Sequence, residues 1–362
     1  MTVERIDQVI PSLASRDAIG GHTVQLRDLL RSNGYQSDIY YGNASPDRVE
    51  FGYPVSRLGD RSSSGRVLLY QLSIGSGVAD MFRERGERKF VNYHNITPAD
   101  LIEAWIPAVG EEVRWGRAQL RDLAPVTEFA IADSDFNADE LRTAGYRSAT
   151  TVPLLIDLES FSGSPDRALS ARLAKQKAEG GTDLLFVGKV SPHKGQHDLI
   201  KTLAAYRRLY DPEARLHLVG GPISDDYQNA LEQFVEELGL AGAVEFAGSV
   251  SHEELIAYYD AADVFVCLSN HEGFCVPLLE SMYHRLPIVS YANTAVPETV
   301  DSAGLILPDK ESGRMAAAID RIVTDPELRA VLRTASAERV ETFALERTRT
   351  RFLSALDTAC AA

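Results

Sequence analysis

Ser269-Asn-His-Glu-Gly-Phe-Cys-Val-Pro-Leu-Leu-Glu280 is the stretch whose reading decides the fold. It follows the apolar run Asp263 to Leu268, which reads as a buried strand, and it opens a helix at Pro277, a first-turn position that suits proline. Strand, loop and helix N-terminus in that order make the turn of a βαβ unit. In open α/β sheets, ligands bind outside the carboxyl ends of the strands. Backbone N–H groups from Gly273 through Leu278, with the helix dipole behind them, suit an anion there, and a diphosphate fits. Glu272 and Glu280 stand at the two ends of the turn, too far apart for a close carboxylate pair. They read as gripping two parts of one elongated ligand, against the simpler reading of two separate surface charges.

The same rhythm extends in both directions. Strand candidates in the second half are Asp183 to Val187, Arg215 to Val219, Val244 to Ala247, Asp263 to Leu268, Pro287 to Tyr291 and Leu305 to Leu307. The first half offers Gln8 to Ile10, Asp38 to Tyr41, Phe90 to Tyr93, Phe129 to Ala132 and Thr150 to Val152. Helical patterns fill the gaps, among them a Val24, Leu26, Leu29, Leu30 stripe that stops at Gly34. Strands alternating with helices imply parallel sheets, hence an α/β chain. The polar, turn-rich Leu158-Glu-Ser-Phe-Ser-Gly-Ser-Pro-Asp166 reads as a linker, so the boundary is set near Phe161. The expectation is a domain over 1–160 and another over 161–342, each Rossmann-like and doubly wound.

With 362 residues, 44% of them hydrophobic and 25% charged, the chain is long enough for two cores. Its formal net charge of -15, acidic in both halves, repels phosphate backbones and anionic lipid, so no nucleic-acid partner is expected. Three cysteines, Cys267, Cys275 and Cys360, contain no C-x-x-C pair, which suggests neither a disulfide framework nor a structural zinc site. No stretch approaches the apolar run that spans a bilayer, and a soluble, cytoplasmic protein without an integral membrane segment is expected. The basic concentrations, Arg83 to Lys89 and the row Arg114, Arg117, Arg121, are explained most simply as solvated helix faces.

Three further loops carry candidate chemistry. Phe186-Val-Gly-Lys-Val-Ser-Pro-His-Lys-Gly195 ends a strand with glycine and flanks a turn with Lys189 and Lys194, two point charges that could converge on phosphate or simply be exposed. Asp17-Ala-Ile-Gly-Gly-His22 places Gly20 and Gly21 between a strand and a helix, where backbone can approach a ligand closely or merely turn. No G-x-G-x-x-G occurs there, so the dinucleotide fingerprint is absent. His94 ends the strand Phe90-Val-Asn-Tyr-His and leads into Asn95-Ile-Thr-Pro98, so its imidazole meets either a ligand or its own loop. Asp133-Ser-Asp135 has the form of a paired-aspartate metal signature, but the start of a helix near Asn137 accounts for it better.

Together these stretches resemble the family-4 retaining glycosyltransferases of GT-B fold, a large group with many bacterial mannosyl-, glucosyl- and N-acetylglucosaminyltransferases. The resemblance is strongest from Leu184 to Leu307, through Phe186-Val-Gly-Lys, His193-Lys-Gly195, Leu218-Val-Gly-Gly221, Phe246-Ala-Gly248, the E-x7-E segment Glu272 to Glu280, and Val296-Pro-Glu-Thr-Val300. It is looser in the first half, through Gly20-Gly21, Tyr93-His-Asn-Ile-Thr-Pro98 and Ala132-Asp-Ser134. It implies two domains facing across a cleft, with the nucleotide-sugar donor on the second, the acceptor on the first, and a last helix, about 343–356, returning to the first. The same resemblance implies that His271, Glu272, Gly273, Phe274, Cys275 and Val276 hold sugar and diphosphate, with Glu280 on the ribose and Lys194 on the diphosphate. The Gly21 amide would touch the diphosphate, Val250 would lie where main-chain groups bind the base, Gly20 and Gly220 would belong to the donor-binding set, and His94 would approach the sugar. Lys189 stands where relatives usually carry arginine, which keeps the charge and loses the bidentate fork. Asn293-Thr-Ala295 stands where relatives often carry glycine.

Sugar transfer builds negative charge on the departing diphosphate, so positive groups aimed at it favour the transition state. Lys189, Lys194 and a helix end meet that need, and neither a metal nor a cofactor is expected beyond the nucleotide diphosphate sugar itself. The acceptor is a small molecule, a glycan or a lipid-linked species, and a uridine carrier is preferred over a guanosine one. Rival readings are a nucleotide-sugar epimerase on the same scaffold and a non-catalytic nucleotide-sugar binder.

Overall fold

A computed structural model describes residues 3–15, 17–59 and 65–361. They form two compact units. One takes the residues up to Asp100, Ala108–Asp157 and the stretch from Phe343 on; the other takes Leu101–Pro107 and Leu158–Thr342.

The sheet of the first unit contains, among the described residues, β1 (Arg5–Leu13), β2 (Ile39–Ala44), β3 (Tyr53–Pro54), β4 (Arg66–Leu72), β5 (Arg88–Tyr93), β6 (Phe129–Ala132) and β7 (Ala149–Thr151), in the order β3-β2-β1-β4-β5-β6-β7. Every pairing is parallel. The sequence reading lacks β4, the middle strand. All of its residues are buried, so it carries none of the polar alternation by which a half-exposed strand declares itself.

Helix Ala18–Ser32 begins where Asp17 accepts from the Gly20 N–H and ends as expected beside Gly34. Gly34 takes φ 88, its N–H donates to Arg31 O, and the Tyr35 N–H donates to Leu30 O, which closes the helix with a Schellman motif. Its Leu26, Leu29 and Leu30 pack with Ile6, Val67 and Leu69. The last helix, Leu345–Ala361, runs five residues beyond its expected end and adds Phe352, Ala355, Leu356 and Ala359 to that cluster. Burying Phe352 and Leu356 contributes roughly 1.5–3 kcal/mol apiece.

The second unit holds β8 (Asp183–Val187), β9 (Arg215–Val219), β10 (Val244–Gly248), β11 (Val264–Cys267), β12 (Ile288–Tyr291) and β13 (Gly304–Leu307), ordered β10-β9-β8-β11-β12-β13 and again parallel. Here the expected strands agree to within one residue at each end. One assignment needs correction: Leu101–Pro107 belongs to this unit although the sequence reading gave it to the first, because the Trp105 ring packs edge-on against Tyr227, 5.1 Å between centroids.

In both sheets the chain winds outward on one side, then returns to the middle and winds outward on the other. The reversal falls between β1 and β4 in the first unit and between β8 and β11 in the second. At such a point two neighbouring loops leave in opposite directions and open a crevice at the carboxyl edge.

Candidate functional site

The loops after β8 and β11 flank the crevice of the second sheet, and they carry both lysines and both glutamates singled out in the sequence. Gly195 is what lets these loops touch. It sits at φ 72, and a Cβ there would stand 2.4 Å from Leu268 O, so a side chain is excluded by both conformation and space. The Asn270 N–H then donates to His193 O at 2.7 Å. Gly220 plays a similar part on the other side of β8: a Cβ there would meet Gly188 O at 2.1 Å. Its place is first a packing one.

Lys194 and Glu272 form the centre of the arrangement. The Lys194 ammonium donates to Glu272 Oε1 at 2.7 Å and to Oε2 at 2.8 Å, leaving its third N–H uncommitted to either oxygen. Burial works against the Lys194 charge, but the carboxylate beside it prevails and raises its pKa. The Glu272 N–H donates to Thr294 Oγ1 at 3.0 Å, and Asn293 Nδ2 donates to Asn270 O. Thr294 takes φ 49. That left-handed conformation is one that glycine adopts without the strain a β-branched residue meets. Lys189, by contrast, is exposed and has no acidic partner among the described residues.

The loop after β11 enters helix Val276–Tyr283 through Cys275, a left-handed residue at φ 71 that serves as N-cap without a side-chain hydrogen bond. Among the described residues, the N–H groups of Gly273, Cys275 and Val276 donate to no protein acceptor, whereas Leu278 N–H is taken by Cys275 O. Those open donors at a helix N-terminus make a seat for an anion. His271 and Phe274 are buried within the loop, and Thr299 Oγ1 fixes Phe274 O at 2.8 Å.

One turn into the helix, Glu280 Oε2 accepts from Tyr259 O–H at 2.6 Å, and Oε1 has no hydrogen bond among the described residues. Burial raises the Glu280 pKa, opposed by the Tyr259 bond. Tyr259 is not singled out by the sequence because it acts through Glu280, and Thr294 enters there only within Asn293-Thr-Ala295, without its bond to Glu272. Val250 is half-buried after β10. Burial, with Lys194, His271 and Lys189 nearby, pushes His193 well below the usual histidine range, so it is neutral and its Nδ1 pairs with Ser191 Oγ.

The first unit corrects the expectation for its glycine loop. The helix starts at Ala18, so Gly20 and Gly21 lie in its first turn and not before it. Gly20 N–H is held by the Asp17 carboxylate and Gly21 N–H donates to Asp17 O, both at 3.0 Å, so the Gly21 amide is already engaged.

His94 is also engaged. Gln8 Nε2 donates to Thr23 O, Gln71 Nε2 donates to Gln8 Oε1, and Gln71 Oε1 therefore faces His94 Nε2 at 2.6 Å and accepts from it. His94 Nδ1 lies 2.8 Å from Asp133 Oδ2. With both ring nitrogens occupied and the side chain buried, the structural reading of His94 fits its geometry. Burial raises the Asp133 pKa. Ser134 caps helix Asp135–Thr143 and Asp135 accepts from Thr151, so every residue of the Asp133-Ser-Asp135 pattern has a structural task.

Residues 170–339 match the family "Glycosyl transferases group 1". The matched stretch, just under half of the chain, resembles a group 1 glycosyl transferase domain. That stretch contains β8 to β13 and every donor-loop residue described above. The chain is similar to the D-inositol 3-phosphate glycosyltransferase of Saccharomonospora viridis, 30% identical over 60% of this chain and 52% of that protein. It is likewise similar to the GDP-mannose-dependent alpha-(1-6)-phosphatidylinositol monomannoside mannosyltransferase of Mycobacterium tuberculosis, 27% identical over 64% of this chain and 63% of that one. These matches span about half to three-fifths of the relatives' lengths. In three dimensions the crystal structure of Anabaena HepE in complex with UDP and glucose superposes with a TM-score of 0.75 at 16% identity, covering 98% of this chain and 100% of that one. The likeness shows the fold, GT-B. No helix among the described residues is long and apolar enough to cross a membrane.

Proposed function

We propose that this chain is a retaining, metal-independent glycosyltransferase that moves a sugar from a nucleoside diphosphate sugar to an acceptor hydroxyl, the second unit binding the donor and the first the acceptor. The observation that carries the reading is the set of open N–H donors of Gly273, Cys275 and Val276 beside the Lys194–Glu272 pair, at the point where the order of the second sheet reverses.

The diphosphate rests on those amides and on the third N–H of Lys194, with Lys189 free to swing onto an outer phosphate oxygen. As the glycosidic bond breaks, negative charge collects on the diphosphate, and fixed donors stabilise it without reorganising. Glu272 takes the sugar hydroxyls while keeping Lys194 aimed. Glu280 Oε1 is open for the ribose hydroxyls. The leaving phosphate oxygen takes the acceptor's proton on the face it vacates, which preserves anomeric configuration.

A uridine carrier remains the preferred donor, supported by the fold shared with a UDP-bound protein; the mannosyltransferase relative keeps a guanosine carrier as the alternative. Those relatives' names favour a polyol or lipid-linked acceptor. A thermal-shift screen of UDP-, GDP-, ADP- and TDP-sugars tests the reading, since a ligand at a hundred times its Kd stabilises by about 2.7 kcal/mol. Turnover with the donor that shifts melting most should survive EDTA. No shift with any carrier, or activity restored only by manganese or magnesium, would overturn the proposal.

A further inference from the structure

Cys267 is the last residue of β11, Cys275 is the N-cap of helix Val276–Tyr283, and Glu272 lies between them. The loop returns on itself, so the two sulfurs and a carboxylate oxygen of Glu272 all lie within 4.8 Å of one another. We propose that these three side chains form a binding site for a thiophilic divalent cation of the zinc class, placed inside the donor loop, where it would govern donor access.

The donor set has the chemistry for it. Two thiolates and a carboxylate are zinc's own ligand types, and in a tetrahedral site with bonds of about 2.0–2.3 Å the ligand atoms stand roughly 3.5–3.8 Å apart. The present spacing needs only a small closure. Charge balances as well: two thiolates, one carboxylate and the Lys194 ammonium sum to minus two, which a divalent ion cancels. On binding, two Cys–S–H bonds break, two metal–sulfur bonds and one metal–oxygen bond form, and two protons leave to solvent. Outer groups already stand at the ligands: Ser269 Oγ lies 3.7 Å from Cys267 Sγ, where its O–H can donate once the thiol has ionised, Lys194 donates to Glu272, and Glu272 N–H donates to Thr294. Cys267 and Glu272 are buried while Cys275 is half-exposed, so the ion enters from the Cys275 side.

Three protein ligands leave one position open, beside the unpaired amides of Gly273, Cys275 and Val276. The ion occupies the approach to the anion seat, so it should compete with a nucleoside diphosphate. Binding of the ion stands on the cysteine geometry alone; the competition rests on the function proposed above.

The test uses the full chain, reduced, titrated with Co2+. The expected result is a thiolate-to-cobalt charge-transfer band saturating at one ion per chain and bleached by Zn2+. Cys275→Ser and Cys267→Ser should each abolish it, and Cys360→Ser should retain it, with circular dichroism reporting that each variant is folded. Absence of the band, or its persistence in folded Cys275→Ser, would overturn the site. Calorimetry with UDP then addresses the consequence: zinc at ten times its Kd should weaken UDP by about tenfold through competition, and an unchanged UDP affinity in zinc-loaded protein would overturn the control of donor access while leaving the ion site standing.

Discussion

Both oxygens of the Glu272 carboxylate are held by one ammonium, that of Lys194, across two loops whose residues lie 78 positions apart. The pair is largely buried, with side-chain exposures of 7% and 21%. Removing either partner alone leaves a desolvated charge, which costs about 3–5 kcal/mol where a buried pair is broken. Lys194→Met should therefore lower stability in urea by about 3 kcal/mol, and Lys194→Met with Glu272→Met should recover most of it. Equal loss in the single and double variants would mean that the pair is not coupled.

The two glutamates of the donor loop should separate in function. Glu280→Gln should weaken UDP and intact donor alike, by about 1.5–3 kcal/mol for one charge-assisted hydrogen bond. Glu272→Gln should leave UDP binding nearly intact and lower saturating turnover, because it misplaces the reacting carbon. Calorimetry with UDP beside turnover measures both; the same loss of UDP affinity in the two variants contradicts the division.

Glu280 also sets a pH dependence. Its folded pKa is raised by burial, and ribose hydroxyls donate best to the ionised form, so UDP affinity should fall as pH drops through that raised value. Tyr259→Phe removes the O–H that favours the carboxylate, so the midpoint should move to higher pH. Stability runs the opposite way: a raised carboxyl disfavours the fold when ionised, so the cost is relieved as pH drops. Glu280→Gln should be the more stable form at neutral pH, an advantage that fades as pH falls through the folded pKa. UDP affinity over a pH series in the two variants is the check.

Thr294 couples backbone strain to a hydrogen bond at the donor loop. Thr294→Ala keeps the left-handed conformation and loses the acceptor for Glu272 N–H, which should cost about 1 kcal/mol. Thr294→Gly loses the same bond but relieves the conformation, worth about 1–2 kcal/mol. Denaturation midpoints should place glycine above alanine; the reverse order would mean that φ 49 is unstrained there.

Two buried histidines titrate in opposite senses, one in each unit. His22 has its pKa pushed well down by burial and by His94, so the stability it contributes is present above the usual histidine value and lost as pH falls below it. Burial also opposes the charge of His217, but bonds to Asp183 and Glu245 overcome it and raise the pKa. Its contribution is full below the usual value and lost as pH rises through the folded one. The chain's two tryptophans report separately, Trp115 on the first unit and Trp105 on the second. Fluorescence-detected unfolding of Trp105→Phe and Trp115→Phe should show the first unit weakening on acidification and the second on alkalinisation.

What the chain's linear pattern determines is the second unit: strands of four or five residues set between glycines and amphipathic helices, with Pro277 marking a helix start, leave little freedom in where β8 to β13 begin and end. The choice of Lys194, Glu272 and Glu280 as candidates was likewise legible, because strand, loop and helix N-terminus occur in an order that exposes them. Tertiary structure alone decided the rest. The middle strand β4 is buried on both faces, and burial by neighbours erases the period that would reveal it. Lys194 pairs with Glu272 only because Gly195 lets two distant loops close to contact distance. His94 is occupied at both nitrogens by Gln71 and Asp133, which arrive from other strands, and Gly21 is occupied because Asp17 caps its helix. Cys267 and Cys275 meet across a loop of seven intervening residues. Periodicity and capping act over a few residues and can be read in line; partners for buried polar groups are supplied by whatever the fold brings near, and no local spacing records them.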